Sequence, residues 1–430
     1  MGYLRRRAIT ALLAANAIKP GLGYDGPQGS LPWPASKILG FAAGWPTGEL
    51  APQLLAATAV DTAQAVVRGR SSRTSLAVAA VGALGLAHLI RTSTTTNALA
   101  ETALAESLGE AYVSSRASRP EATEHRLLLR EVARPFALRG HGVEVIRNVN
   151  YQEGGRRARL DIYRPTGIDL TDAPVLVQVH GGAWMIGNKR QQALPLMNRM
   201  AARGWVCVAI NYRLAPRNTW PAQIIDVKKA IAWTRENIAR YGGDPTYIVA
   251  TGGSAGGHLA ALAALTPQLS DFQPGFEEAD TSVSACVSFY GVYDLAGISG
   301  DRASVDLRDR LIAPLVMKLD PTWHQKTFER ASPLTHVAPD APDFFVLHGT
   351  ADTVVSVNQG RVFARRLKEV SEGIVTYLEL PGAQHGFDLL SSIRSQHAVR
   401  AVERWLEWHR SHRRTSTSAR PANNLQESST

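Results

Sequence analysis

Cysteine is almost missing from this 430-residue sequence. The two present, Cys207 and Cys286, each sit inside an apolar, strand-like run, Trp205-Val-Cys-Val-Ala-Ile210 and Ala285-Cys-Val-Ser-Phe289. A thiol in such a run behaves as a small buried hydrophobe, which excludes a disulfide framework or a cysteine metal site and leaves the compartment open. No internal repeat is visible, and residues 1 to 120 lack the recurring short strands of a propeller. No nucleic-acid-binding motif accompanies the formal charge of +10. The arginines are spread along the chain, with small clusters at Arg5 to Arg7, Arg68 to Arg73 and Arg410 to Arg414. They read as a solvated basic surface whose ends suit anionic lipid, with no nucleic-acid partner.

Long uncharged stretches are equally scarce. Thr74 to Ile90 is one, 17 residues without a charge except on His88 when protonated, flanked by Arg73 and Arg91. At 1.5 Å per residue it would run about 26 Å, marginal for crossing a bilayer. Its small residues, among them Ala79, Gly82 and Gly85, suit close helix packing in lipid or in a soluble core alike. The Ala- and Leu-rich residues 38 to 60 would pair with it, leaving Arg68, Arg70 and Arg73 in the connection and on the cytoplasmic side of any membrane. Ala8 to Ala15 is too short, and lacks a convincing small-residue site, for a cleaved signal peptide. Leu104, Leu108 and Tyr112 mark an amphipathic helix, and Glu121 to Val132 another. These two are candidates to cover a site mouth.

The pattern changes near residue 141. Val143 to Val149 and Ala158 to Tyr163 flank Glu153-Gly-Gly155 as a hairpin. Apolar runs then alternate with helical stretches: Pro174 to Val179, Val206 to Ile210, Tyr247 to Ala250, Ser284 to Phe289, Phe344 to Leu347 and Ile374 to Leu380. The helices lie at Ile224 to Ile238, 256 to 265, 305 to 318, 357 to 369 and Arg394 to His409. An α/β fold follows, with a mostly parallel sheet covered on both faces and a mainly helical, hydrophobic N-terminal region. The divisions are 1–120 for that region, 121–140 for a linker or cap helix, 141–410 for the catalytic domain and 411–430 for a disordered tail.

Ligands bind past the carboxyl ends of such strands. Beyond Tyr247 to Ala250 lies Gly252-Gly-Ser-Ala-Gly256, a strand-turn-helix elbow that would lift Ser254 as a nucleophile, with the Ala255 N–H at a helix start. Beyond Pro174 to Val179 lies His180-Gly-Gly-Ala-Trp184, whose paired glycines let backbone N–H groups converge on an oxyanion. The donors expected are Gly181, Gly182 and Ala255, with Ala183 as an addition. Asp352 follows the run ending at Leu347, placed to orient a histidine; it could instead cap the next helix, and Asp294 and Asp388 are alternatives. His385 follows the last strand and can carry the proton. His258, His348, His324, His336 and His397 fit less well. Chain order Ser254, Asp352, His385 is that of an α/β-hydrolase.

These motifs, with Asn211-Tyr-Arg-Leu-Ala-Pro216, Gly242-Gly-Asp-Pro245 and His385-Gly-Phe387, resemble the hormone-sensitive-lipase-like branch of the α/β-hydrolases over about 141 to 410. The likeness is to bacterial carboxylesterases, including mycobacterial-type enzymes with a hydrophobic N-terminal extension. It implies a cofactor-free, metal-free carboxylic-ester hydrolase with Ser254, Asp352 and His385 as its triad, acting on short- to medium-chain acyl esters or lipids. Three positions depart from the family pattern: Ala183 in place of the last glycine of HGGG, Arg217 in place of an acid, and Gly253 where many members carry Asp. Trp184 and Trp220 are candidate pocket walls. An amidase or peptidase would use the same triad; a non-catalytic binding protein would be expected to lose part of it.

Overall fold

The hairpin at Glu153-Gly-Gly155 opens the sheet, β1 (Val143–Asn150) pairing antiparallel with β2 (Arg159–Pro165). The computed structural model describes residues 1–20, 33–117, 130–137 and 140–418. Six further strands follow: β3 (Ala173–Val179), β4 (Val206–Ile210), β5 (Gly243–Gly253), β6 (Ala285–Phe289), β7 (Asp343–Gly349) and β8 (Val375–Leu380). They lie in the order β1-β2-β4-β3-β5-β6-β7-β8. β2 meets β4 antiparallel, and every later pairing is parallel.

Alternation along the strands explains why they read as unbroken apolar runs. Val175, Val177 and Val179 face one core with Val208 and Ile210, while Leu176, Cys207 and Val249 face a second core on the other side. Both faces are covered, so no position has to be polar. The chain steps from β3 back to β4 and then across to β5, so the direction of winding reverses at the β3/β5 boundary. A crevice opens at such a reversal, at the carboxyl ends of the strands.

The N-terminal helices before the sheet include α1 (Tyr3–Ile18), α2 (Trp33–Glu49), α3 (Ala51–Val67), α4 (Arg73–Thr94) and α5 (Thr96–Ala117). The single stretch expected over 38 to 60 is two helices meeting at Leu50, because Pro52 starts a new helix well. α4 begins at a reciprocal Ser72/Ser75 cap and packs on α1 through its small residues. A Cβ on Gly85 would lie 2.9 Å from that of Ala14. Arg6 and Arg7 tie α1 to Asp61 of α3 at 2.8 and 3.0 Å.

α5 departs from expectation. Its Leu104, Leu108 and Tyr112 are buried in the second core with Trp405, and Ser107 Oγ lies 2.6 Å from Thr376 Oγ1 near the start of β8. That is the end of the strand opposite the predicted site, so α5 buttresses the sheet and does not cover the mouth. Its proposed companion, Glu121 to Val132, lies mostly outside the described residues, as does the tail from 419.

In the catalytic part the helices are α6 (Leu194–Ala202), α7 (Ala222–Asn237), α8 (Ala255–Leu265), α9 (Arg302–Leu307), α10 (Gln325–Arg330), α11 (Val357–Val370) and α12 (Ile393–Ser418). The helix expected over 305 to 318 is α9 followed by π-helical winding over Arg308–Met317. Pro314 inside it has no N–H to give to an α ladder. α12 runs past His409, where a tail was expected from 411; Trp408 and His412, one turn apart, stack at 4.0 Å and carry the helix on. Both cysteines are buried and free.

Candidate active site

Four strand ends supply the predicted residues. Ser254 joins β5 to α8 with φ 59° and ψ −125°, a conformation that costs energy for any residue with a Cβ. The surrounding glycines permit it: a Cβ on Gly252 would lie 2.4 Å from Gly256 O, and one on Gly256 would lie 2.1 Å from Val179 O. The Ser254 N–H is donated to Phe289 O at 3.0 Å, pinning the elbow to β6.

The turn after β3 lies against this elbow. A Cβ on Gly181 would approach Gly253 O to 2.6 Å and Ser254 Cβ to 3.1 Å, and Gly182 has φ 115°. One expected donor is removed: the Gly181 N–H is given to Gln192 Oε1 at 2.5 Å. Its glycine is needed for close approach and not for an N–H. Gly182, Ala183 and Ala255 keep theirs out of the backbone hydrogen bonds among the described residues. Ala183, with φ 52°, is thus left with a backbone N–H to offer where that of Gly181 is already used.

Asp352 and His385 are also together. His385 Nδ1 lies 2.7 Å from Asp352 Oδ2, and Asp352 Oδ1 accepts the N–H groups of Val354 and Val355 at 2.8 Å each. Burial alone would raise the Asp352 carboxyl, but neighbouring His385 and hydrogen bonds from His348 and His385 hold it well below the usual carboxylate range. α11 is capped by Ser356, which accepts the Asn358 N–H, so Asp352 is not that helix's cap. Of the alternatives, Asp294 is occupied with the N–H groups of Gly297, Ile298 and Ser299. His258 accepts from Trp184 Nε1 at 3.1 Å and faces Ala331 O at 2.7 Å, and burial pushes it down to about 4. Trp184 is thereby a core residue, 2% exposed, and not a pocket wall.

The BD-FAE family matches residues 160–367. Over 415 residues the chain is 44% identical to the probable carboxylic ester hydrolase LipM of Mycobacterium tuberculosis, a match covering 94% of this chain and 93% of LipM. The chain belongs to the hormone-sensitive-lipase-like carboxylesterases. Esterase LipQ of the same organism is 49% identical over 260 residues, 60% of this chain and 61% of LipQ. Among solved structures, a truncated carbohydrate esterase from gut microbiota superposes with a TM-score of 0.53 at 26% identity, over 64% of this chain and 99% of that one. Apo Thermogutta terrifontis esterase 2 gives 0.51 at 27%, over 63% and 95%. The protein is a carboxylic ester hydrolase of α/β-hydrolase fold.

In this carboxylesterase several residues at the site carry no motif. Gln384 Oε1 accepts the N–H groups of both Thr353 and His385, at 2.7 and 2.9 Å, and so joins the aspartate loop to the histidine loop. α2 lies over the histidine loop: Phe41 meets the His385 ring edge-on at 6.3 Å, and Trp45 Nε1 donates to Gly386 O at 2.8 Å. At its end Glu49 is bonded to Arg394 and Ser392, with Glu49 and Arg394 both fully buried. α2, not α5, is the N-terminal element at the site. Nothing in the local sequence of Gln192, Gln384 or Trp45 signals these contacts, because each depends on chain brought from elsewhere.

Proposed function

We propose that this carboxylesterase works through Ser254 as nucleophile, His385 as general base and acid, and Asp352 as the group that orients His385. The observation that carries the proposal is the 2.7 Å contact of His385 Nδ1 with Asp352 Oδ2, made at strand ends next to a strained, glycine-bracketed serine. With Nδ1 held by the carboxylate, Nε2 is the nitrogen free to take the Ser254 Oγ proton as Oγ attacks the ester carbonyl carbon. The carbonyl oxygen becomes an oxyanion, for which the N–H groups of Gly182, Ala183 and Ala255 are the donors. His385 then gives the proton to the leaving alkoxide. Water, deprotonated by the same nitrogen, attacks the acyl-serine and releases the acid.

The substrates proposed are short- to medium-chain acyl esters. Thermogutta esterase 2 has been solved with propionate and with butyrate bound, at a TM-score of 0.50 to this chain in each case. Hydrolysis of p-nitrophenyl esters across chain lengths, beside the matching anilides, tests this. Turnover should peak at or below about eight acyl carbons, within the pocket sizes usual for small ligands. Preference for long chains, or for anilides, would refute the substrate class.

Association with a lipid surface is also proposed. α4 belongs to the long helical stretch with the length and apolar composition to cross a membrane, and its outward Val81 and Leu84 are 63% and 71% exposed. Leu12 of α1 and Val67 of α3 are likewise 70% and 87% exposed. Exposed Arg68, Arg70 and Arg73 lie in and beside the α3–α4 connection. Exposed apolar side chains on helices joined by an arginine-bearing connection match acyl chains beneath anionic headgroups.

A further inference from the structure

Gly253, the residue before the nucleophile, is one of the departures from the family pattern, and the structure supplies its reason. A Cβ there would lie 2.7 Å from Tyr290 Oη and 3.0 Å from two of its ring carbons. The phenol of Tyr290 fills the space an acidic side chain would need. Tyr290 is fixed from several directions. It follows β6 with φ 35°, its N–H is donated to Leu347 O of β7 at 2.7 Å, and its ring is 5.3 Å from that of Phe387. The same ring lies 4.6 Å from the His385 ring. Its hydroxyl donates a hydrogen bond to Oδ1 of Asp388, a buried residue three positions beyond His385. One tyrosine therefore touches the residue before the nucleophile, the imidazole, and a second carboxylate on the histidine's own loop.

We propose that Tyr290 and Asp388 are positioning residues for His385, a tyrosine–aspartate pair that stands in for the missing acid at 253. Tyr290 backs the imidazole and, through Asp388, clamps the loop that carries it. Asp388 adds a second carboxyl group close enough to His385 for their charges to interact, so its ionised form favours the imidazolium that develops during acylation. The charged groups facing Asp388 are few: His385 on its own loop and Glu49 of α2, itself paired with Arg394. Burial pushes the Asp388 carboxyl up, and the bond from Tyr290, together with His385, works against that rise. The inference rests on His385 being the base.

Tyr290→Phe keeps the ring and removes only the bond to Asp388, and Asp388→Asn keeps the shape and removes the charge. For each, kcat on a p-nitrophenyl ester should fall on the order of tenfold with KM nearly unchanged, part of what a well-placed acid–base group contributes. In Asp388→Asn the acidic limb of kcat/KM should also move to lower pH by about half a unit, because the imidazolium has lost a supporting charge. In Tyr290→Phe it should move the same way by less, because the carboxyl stays but loses the bond that favours its ionised form. Should Tyr290→Phe fail to fold, Asp388→Asn carries both readouts alone. A folded variant with wild-type kcat and an unmoved limb, even with a lowered Tm, overturns the inference. Ser254→Ala and His385→Ala run alongside separate the two claims: if they keep activity, the triad itself fails, and if they abolish it while Tyr290→Phe and Asp388→Asn behave as wild type, only the positioning pair fails.

Discussion

A serine held at φ 59° stays there because its neighbours have no side chains to displace it. Gly252 and Gly256 face each other and the β3 backbone at distances no Cβ tolerates, so the elbow is set by backbone packing and was legible as a local motif. Two histidines near the site have a consequence for stability. Burial pushes His180 and His258 down to about 4 from 6.5. Between those values the unfolded chain binds protons that the folded one refuses, so stability must fall as pH drops from about 6.5 to 4 and the histidine part of the fall must end there. Each residue contributes up to roughly 3 kcal/mol to the loss. Urea unfolding measured from pH 7.5 to 4.5 checks it; a midpoint that stays constant over that range would contradict the burial of these rings. Their neutrality was not legible, since His180 stacks on Tyr212 at 4.3 Å and His258 meets Trp184 only after folding.

Secondary-structure elements were read well wherever periodicity was local. The strands and their order along the chain follow from apolar runs punctuated by glycine, and the hairpin from Glu153-Gly-Gly155. The element that escaped is α2. Its residues look like one more Ala-rich helix, yet Trp45 reaches Gly386 and Glu49 reaches Arg394 across more than 340 residues of sequence. Contacts of that separation leave no periodic trace. Glu49→Gln would leave the Arg394 guanidinium buried beside a neutral partner, and breaking such a pair costs about 3–5 kcal/mol. Chemical denaturation should register a loss of that size. A loss below about 1 kcal/mol, the value of an exposed pair, would mean that α2 is not seated on the catalytic domain as described. α5 misled for a related reason: an amphipathic helix declares that one face is buried, but not against which surface, and its Leu104 and Leu108 are in the sheet core.

At the scale of the whole molecule, a sheet carries a helical unit that exposes apolar side chains, Val81 and Leu84 among them, and whose α3–α4 turn is basic. If that surface meets lipid, the wild-type protein should float with vesicles containing phosphatidylglycerol, and Val81→Glu with Leu84→Glu should stay behind with unchanged ester turnover. Each acid placed among acyl chains costs on the order of 2–3 kcal/mol, enough to lower partitioning by more than tenfold. Equal flotation of wild type and double variant would refute the assignment of that face. The composition made the helix visible, but only the fold separates Val81 and Leu84, which face outward, from Leu86 and Leu89, which are buried.

The proposed reaction turns on one atom, Ser254 Oγ. An alkyl fluorophosphonate reacts with an activated serine and stays attached, so intact mass and peptide mapping report the nucleophile directly. The account predicts about one adduct per chain, on the peptide that contains Ser254, with no labelling in Ser254→Ala and loss of ester hydrolysis in step with labelling of the wild type. Full ester turnover in a folded Ser254→Ala variant, or an adduct on another residue that tracks the loss of activity, would contradict it.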